Sequence, residues 1–494
     1  MKISKKWLIL FASGIFLLSL GLYFKADLRI LAAGLNTLRL GQQTSKQLAE
    51  DSQAGVMEIN FSSLIKNWPR LENGFDQLVT NYPKSIFFKK WLKPSSFTQI
   101  KSGFVAADAF VKTLNQKQTW LVMFQNSNEL RASGGFMGSY GLLTLDRGQI
   151  SEFVIEDVYD ADGQWQGLVE APAGAEEYLS SGKGLRLPDA NWAADFPSAA
   201  KQVKFFIESV KKIPIDGVIA INEQVFAELL QITGPIKLKD YQLTLTADNI
   251  DDLLQDRPQE FFPGSRQKVN LLDQTKTQLA LTIKKLPAEQ QKQLFQLLKK
   301  QFQQKNILIF SSNLTLEEKL VSLGLAGQLD NQDPTASLLY LLESNVGINK
   351  VNQWVERMVT LNFQEEEVIL TLDFTNQANQ TQEKNGSLYV NYQRLIIPQA
   401  WSVKTITVDD QTVTWDQTEI TTTNKTTFQQ IGWLVVVKPK SQTQTQIVLS
   451  YNGPKPPAVK LIKQPGLKET NYLVFGSKTN ASFKLTQDYS LELD

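Results

Sequence analysis

The chain has 494 residues, 42% hydrophobic and 20% charged, with a net charge of +1. That length and composition suit two or three globular domains, and the near-neutral balance without any basic stripe excludes nucleic acid as a partner. Histidine and cysteine are both absent, which excludes disulfides, thiolate nucleophiles, zinc sites built on Cys or His, Ser-His-Asp machinery and an imidazole pH switch.

The first element is the uncharged run 7–24, WLILFASGIFLLSLGLYF, preceded by Lys2, Lys5 and Lys6. It is long enough to span a bilayer. The lysines hold the N-terminus in the cytoplasm and send the bulk of the chain outside. A cleaved signal peptide has a shorter apolar core that ends in small residues. Here the run ends in Leu22, Tyr23 and Phe24, and the small residues Ala32, Ala33 and Gly34 follow only after Asp27 and Arg29. Residues 1–26 are therefore expected to be a cytoplasmic tip and an uncleaved single-pass anchor in the cell membrane.

Residues 27–115 carry a helical pattern, with Leu28, Leu31, Leu35 and Leu38 at helical spacing and Pro69, Pro83 and Pro94 as interruptions. They are expected to be membrane-proximal helices whose aromatics serve core packing. Residues 116–350 alternate strand and helix signals. A strand at 120–124 leads to a hairpin, 140–145 and 150–155, around Asp146-Arg147-Gly148. A helix opening at Pro197, a strand at 215–221, a helix at 223–233 closed by Gly234-Pro235, helices at 268–286 and 288–304 and a strand at 307–310 follow. This order predicts an α/β core, a sheet with helices on its faces. In 351–494 the period falls to two and Thr, Gln and Asn rise, which predicts an all-β sandwich. Trp401, Trp415 and Trp433 in that region suit its core, or would stack on sugars where exposed.

The densest chemistry lies in 121–163. Arg131 stands beside Ser133, Gly134 and Gly135. Glycines admit an anion close to the backbone and arginine grips phosphate bidentately; equally, the glycines fit a tight turn with Arg131 paired to Glu129. Glu156, Asp157, Asp160 and Asp162 form an acidic run. It suits a hard cation such as Mg²⁺ bridging to phosphate, with Asp157, Asp160 and Asp162 as ligands, or else a solvated loop. The spacing does not fit an EF-hand. Asn191 and Trp192 are candidates to line a cleft, and Arg266 is either an anion ligand or a residue near a helix start.

The stretch FQNSNELRASGGFMGSYG, followed by IEDVYDADG, resembles a bacterial family catalogued as domain of unknown function 4012. The resemblance continues at 215–238, at YVNYQRLIIP (389–398) and at LIKQPGL (461–467). More distantly, the order of elements is similar to the LytR-CpsA-Psr family of membrane-anchored, outward-facing phosphotransferases. That resemblance implies an α/β/α core and transfer of a glycopolymer from a polyprenyl-pyrophosphate carrier to the wall, using Mg²⁺, arginines and aspartates. It implies roles for Arg131, Asp157 and Arg266 at the reacting phosphates, with Glu129, Ser133, Gly134, Gly135, Asn191 and Trp192 around the substrate. The chain departs from the pattern at three positions, one of them the second arginine of the Arg-rich stretch at Arg266-Gln267-Lys268, which has no equivalent here. The Arg-x-Asp turn reads Arg131-Ala132-Ser133, and the arginine of an Arg-Asp pair is Glu156.

Two functions follow from these residues. One is transfer or hydrolysis of a lipid-linked (pyro)phosphate glycan in wall assembly, with a polyprenyl-phosphate-linked glycan or wall polymer as partner. The other is a non-catalytic envelope binding or structural protein on the same fold.

Overall fold

The computed structural model describes residues 25–51, 61–250, 267–329, 336–380, 386–422, 425–476 and 480–493. The expected anchor at 7–24 and Arg266 lie outside these residues. Among the described residues no helix is long and apolar enough to cross a membrane. The chain separates into two compact units. One comprises residues 1–118, 144–152 and 314–319, and the other residues 119–143, 153–313 and 320–494.

The described residues of the first unit include the helices α1 (Lys25–Asp51), α2 (Ser62–Asn81), α3 (Phe88–Trp91) and α4 (Pro94–Leu114), and most of a short helix at Leu314–Ser322. In α2 the spacing of Trp68, Leu71 and Phe75 puts all three on one buried face. They pack toward Phe104 and Val111 of α4, with the Phe75 and Phe104 rings stacked 3.9 Å apart. Trp68 Nε1 donates to Asp108 across the same seam at 2.9 Å. Pro69 does not interrupt the pattern as its chemistry suggests; it stands inside α2. The buried residues Trp68 and Leu71 on either side hold the helix together against the one lost backbone bond. Pro94 occupies the first turn of α4, where its missing N–H costs nothing.

β1 (Gln118–Asn126), β2 (Phe136–Asp146), β3 (Gln149–Asp157), β4 (Gly217–Asn222) and β7 (Ile307–Ser311) form a sheet in the order β3-β2-β1-β4-β7, which lies in the second unit except for residue 118 and the hairpin tip at 144–152. The short strands β5 (Ile236–Leu238) and β6 (Leu243–Leu245) pair separately. β1 and β4 are parallel, with Trp120 opposite Gly217 and Gln125 opposite Asn222, so both end at the same edge. The β2–β3 turn has Arg147 and Gly148 at φ 47° and 79°, the double positive that a two-residue hairpin turn requires. After β3 come α5 (Val158–Asp162), α6 (Phe196–Lys211), α7 (Glu223–Thr233), α8 (Gln267–Lys284) and α9 (Ala288–Gln303). α6 starts where Asp195 accepts from the Ser198 backbone N–H, the capping arrangement that satisfies a free helix donor. Its Phe196, Ala200, Val203 and Ile207 share a core with Leu121, Met123, Val218 and Ala220 of the sheet. The other face carries α7, whose Phe226 ring lies 6.2 Å from that of Phe124, and α9, joined to α7 by Lys300 and Glu228 at 2.7 Å. The expected α/β arrangement is thus present.

The all-β region is a sandwich of two sheets. The first has the order β13-β12-β16-β10-β9-β18-β19 and consists of β9 (Val355–Phe363), β10 (Glu367–Asn376), β12 (Ser402–Val408), β13 (Gln411–Thr412), β16 (Ser441–Ser450), β18 (Thr470–Phe475) and β19 (Asn480–Leu485). The second, β14-β15-β11-β8-β17-β20, is built from β8 (Ala336–Leu342), β11 (Tyr389–Pro398), β14 (Asp416–Thr421), β15 (Thr427–Val437), β17 (Ala458–Ile462) and β20 (Tyr489–Glu492). Val359, Leu361, Leu370 and Leu372 of one sheet meet Leu339, Leu395, Ile397 and Val435 of the other, and Trp401 and Trp433 are buried in the same core. β8 precedes the compositional change at 351 yet belongs to the sandwich. Its parallel partner is β17, more than a hundred residues away, with Leu338 opposite Lys460.

Candidate functional site

β1 ends in Gln125 and Asn126, and the loop 127–135 folds back on that end. Gly135 has φ 148°, and a Cβ there would stand 2.2 Å from the Asn126 carbonyl oxygen. Only glycine fits so close a return. Asn191 Nδ2 donates to Ser133 Oγ at 2.9 Å and to the Gly135 carbonyl at 2.8 Å. Ser127 donates its backbone N–H to Glu223 at the start of α7, at 2.9 Å. Glu129, Arg131, Ser133 and Asn191 are all buried. The sequence-predicted residues of this group therefore do come together, as an interior network.

Arg131 is at its centre and only 1% exposed. Nε donates to Asp189 Oδ1 at 3.1 Å, and Nη2 lies 3.0 Å from the same oxygen. Nη2 also donates to Glu129 Oε1 at 3.1 Å. Nη1 donates to the carbonyls of Leu130 at 3.2 Å and Asn345 at 2.6 Å. A guanidinium has five N–H donors, and every nitrogen here already faces protein oxygen. Burial alone would lower the Arg131 pKa, but Asp189 and Glu129 outweigh it and hold the group above its ordinary value. Burial also raises Glu129, against the pull of Arg131. The pairing with Glu129 is present, and Asp189, which sequence reasoning did not single out, doubles it.

The other half of the network comes from the β-sandwich region. Asn345 N–H donates to the Leu130 carbonyl at 3.0 Å, and Asn352 N–H to that of Asn128 at 3.2 Å. Gln464 Nε2 donates to the carbonyls of Arg131 at 3.3 Å and Glu343 at 2.8 Å. Gln224 Nε2 reaches the Gly466 carbonyl at 2.8 Å. Nearby, Arg394 lies 4.5 Å over the Trp192 ring, a cation–π distance. Its Nη1 donates to the Trp192 carbonyl at 2.9 Å, and Trp192 stacks on Tyr392 at 5.8 Å. Trp192 is 2% exposed, so it is a buried packing surface and not the wall of an open cleft. The three separated motifs NSNELRASGG, YVNYQRLIIP and LIKQPGL thus meet in one place.

The acidic run behaves differently. Asp157 caps α5, its Oδ1 accepting from the Tyr159 N–H at 2.9 Å. Asp160 is exposed. Asp162 is gripped by Arg186 Nε at 3.1 Å and accepts from the Leu187 N–H at 3.0 Å. Glu156, in the place of the expected arginine, bonds Tyr140 and Lys211. Among the described residues no group of three or more acidic side chains could hold a metal ion. The Mg²⁺ ligand set expected from Asp157, Asp160 and Asp162 is not assembled, because each carboxylate serves local structure or solvent.

Two cavities border the network. One of about 10 Å³ is lined by Ala132, Ser133, Phe196, Tyr340 and Pro465. Another of about 30 Å³ is lined by Glu343, Arg357, Gln393, Lys463 and Gln464. Each is on the scale of a water molecule or a few. Burial, with Lys305 close by, pulls Lys463 down to about 7. Its ammonium donates to the Gln304 carbonyl at the end of α9.

Solved structures similar to parts of the chain include a protein from Streptococcus agalactiae, at 11% identity over 43% of this chain and 75% of that one, with a TM-score of 0.27. Another is a transcriptional regulator from Enterococcus faecalis, at 11% identity over 45% and 74%, TM-score 0.27. A third is TagV of B. subtilis, at 14% identity over 43% and 80%, TM-score 0.25. Overlaps this loose decide neither fold nor chemistry. No curated protein sequence matches the chain. Residues 115–258 match the family described as protein of unknown function (DUF4012), the family to which FQNSNELRASGG and IEDVYDADG point.

Proposed function

We propose that the chain is an extracytoplasmic cell-envelope protein, anchored through residues 7–24, with a non-catalytic binding or structural role. The order of elements resembles that of the LytR-CpsA-Psr phosphotransferases, and in this reading their phosphate-gripping turn serves here as an internal lock. The observation that carries the proposal is the state of Arg131. It is 1% exposed, and each of its nitrogens faces Glu129, Asp189 or a main-chain carbonyl. To grip a phosphate it would have to break these bonds and leave the buried Glu129 and the partly buried Asp189 without their cation, at a cost of about 3–5 kcal/mol. Asp157, Asp160 and Asp162 do not assemble into a set of oxygens that fits Mg²⁺.

The test is to incubate the intact protein with a polyprenyl-pyrophosphate glycan and Mg²⁺. No release or transfer of the glycan is expected. Turnover by the wild type that disappears in a folded Arg131→Met variant overturns the proposal. Binding of a wall polymer without turnover supports it.

A further inference from the structure

The strongest unassigned surface is in the helical unit, at residues 82–101, YPKSIFFKKWLKPSSFTQIK. Five lysines, Lys84, Lys89, Lys90, Lys93 and Lys101, fall in this segment, and no Asp or Glu occurs between residues 77 and 107. In a chain of net charge +1 this is a strong local concentration of one sign. All five lysines are exposed, and none forms an ion pair among the described residues. Between them stands Trp91, 80% exposed, with Phe87 at 50%. The two rings stack on each other at 5.7 Å. The aromatics of this segment are thus not all core, as its sequence pattern suggests.

The knob is rigid. Tyr82 is buried, donates its hydroxyl to the Leu92 carbonyl at 2.6 Å and stacks on Phe97 at 3.8 Å. Ser85 Oγ accepts from the Phe88 N–H at 2.9 Å. These contacts join the two ends of the segment and leave the tip with Trp91, Lys89, Lys90 and Lys93 exposed. An exposed Trp–Phe pair ringed by lysines matches the water–hydrocarbon boundary of a bilayer. There the rings seat at headgroup level and the ammonium groups meet anionic lipid.

We propose that this knob docks on the surface of an anionic phospholipid bilayer and holds the helical unit against it. The proposal is independent of the role given to Arg131. Because the chain has no cysteine, a single introduced thiol reports cleanly. The full chain carrying Ser95→Cys beside the knob, labelled with an environment-sensitive dye, is placed in nanodiscs of phosphatidylcholine with or without phosphatidylglycerol. Gln442→Cys on the sandwich is the water-exposed control, and Leu17→Cys reports separately whether residues 7–24 insert.

The expected result is a blue shift and protection from an aqueous quencher at Ser95 in the anionic discs alone. Each lysine removed should weaken docking about fivefold. The combined Lys89→Glu, Lys90→Glu and Lys93→Glu variant, and separately Trp91→Ser, should abolish the signal while leaving the circular dichroism unchanged. If the Ser95 probe stays as quenchable as the Gln442 probe in anionic discs, the idea is wrong. An equal shift in pure phosphatidylcholine overturns the anionic selectivity, and protection that appears only with added envelope protein assigns the knob to a protein partner instead.

Discussion

Gly466 and Gly134 meet backbone against backbone: a Cβ on Gly466 would stand 2.1 Å from the Gly134 carbonyl oxygen. The LIKQPGL loop is thereby pressed against the glycine turn that follows Arg131. Gly466 also has φ 83°, which a residue with a Cβ adopts at a cost. Gly466→Ala should therefore destabilise the second unit by roughly 2–4 kcal/mol, strain and clash together. Denaturant unfolding of the two proteins side by side measures this, and equal midpoints would show that the loop can retreat.

The charge pair at the centre of the turn gives a second prediction. Removing Arg131 leaves the buried Glu129 and the partly buried Asp189 without a cation, so Arg131→Met should cost about 3–5 kcal/mol. Adding Glu129→Gln and Asp189→Asn to that variant should recover part of the loss, because the uncompensated charges go with them. A double-mutant cycle by chemical denaturation reads the coupling. Strict additivity would falsify the claim that the three groups act as one unit.

Lys463 sets a pH dependence. Its amine is pulled down to about 7 in the folded protein from an ordinary 10.5. Between those values the unfolded chain binds the proton and the folded one does not, so stability rises with pH across that window. Below about pH 7 both states are protonated and the penalty for burying the charge is complete. Relative to Lys463→Met, the wild type should gain roughly 1–3 kcal/mol between pH 7 and 9. Parallel pH series of unfolding midpoints would show no such convergence if the ammonium is well solvated.

The acidic run yields a fourth. Asp162 holds Arg186 and the start of the 187–189 turn. Asp162→Asn should cost about 1–3 kcal/mol, as for a charged hydrogen-bonded group, whereas Asp160→Asn, at an exposed site, should be near neutral. Mg²⁺ added in excess should leave the melting temperature of the wild type unchanged, since a ligand stabilises only the state that binds it. A Mg²⁺-dependent rise lost in Asp162→Asn would restore the metal site.

Much of the local structure was legible in the residues themselves. Pro197 placed the start of α6, and the apolar period with the Gly234-Pro235 exit placed both ends of α7, within a residue of those observed. Asp146-Arg147-Gly148 placed the hairpin turn. The period of two is plain in β9, β10 and β16, but strands such as β8 and β14 do not show it. β14 is exposed along nearly its whole length, so it has no hydrophobic period, and β8 is apolar on both faces.

The meaning of Arg131 was a different matter. Its sequence neighbours fixed a glycine-rich turn with an arginine and an acid in it, which serves an anion site or a buried lock equally well. The choice between them was made by Asp189, 58 residues further along, and by the Asn345 carbonyl, 214 residues away. Local periodicity and turn chemistry are properties of adjacent residues, so the chain carries them openly. Whether a charged group faces solvent or is saturated in the interior depends on which distant segments pack over it, and only the tertiary structure brings those segments together.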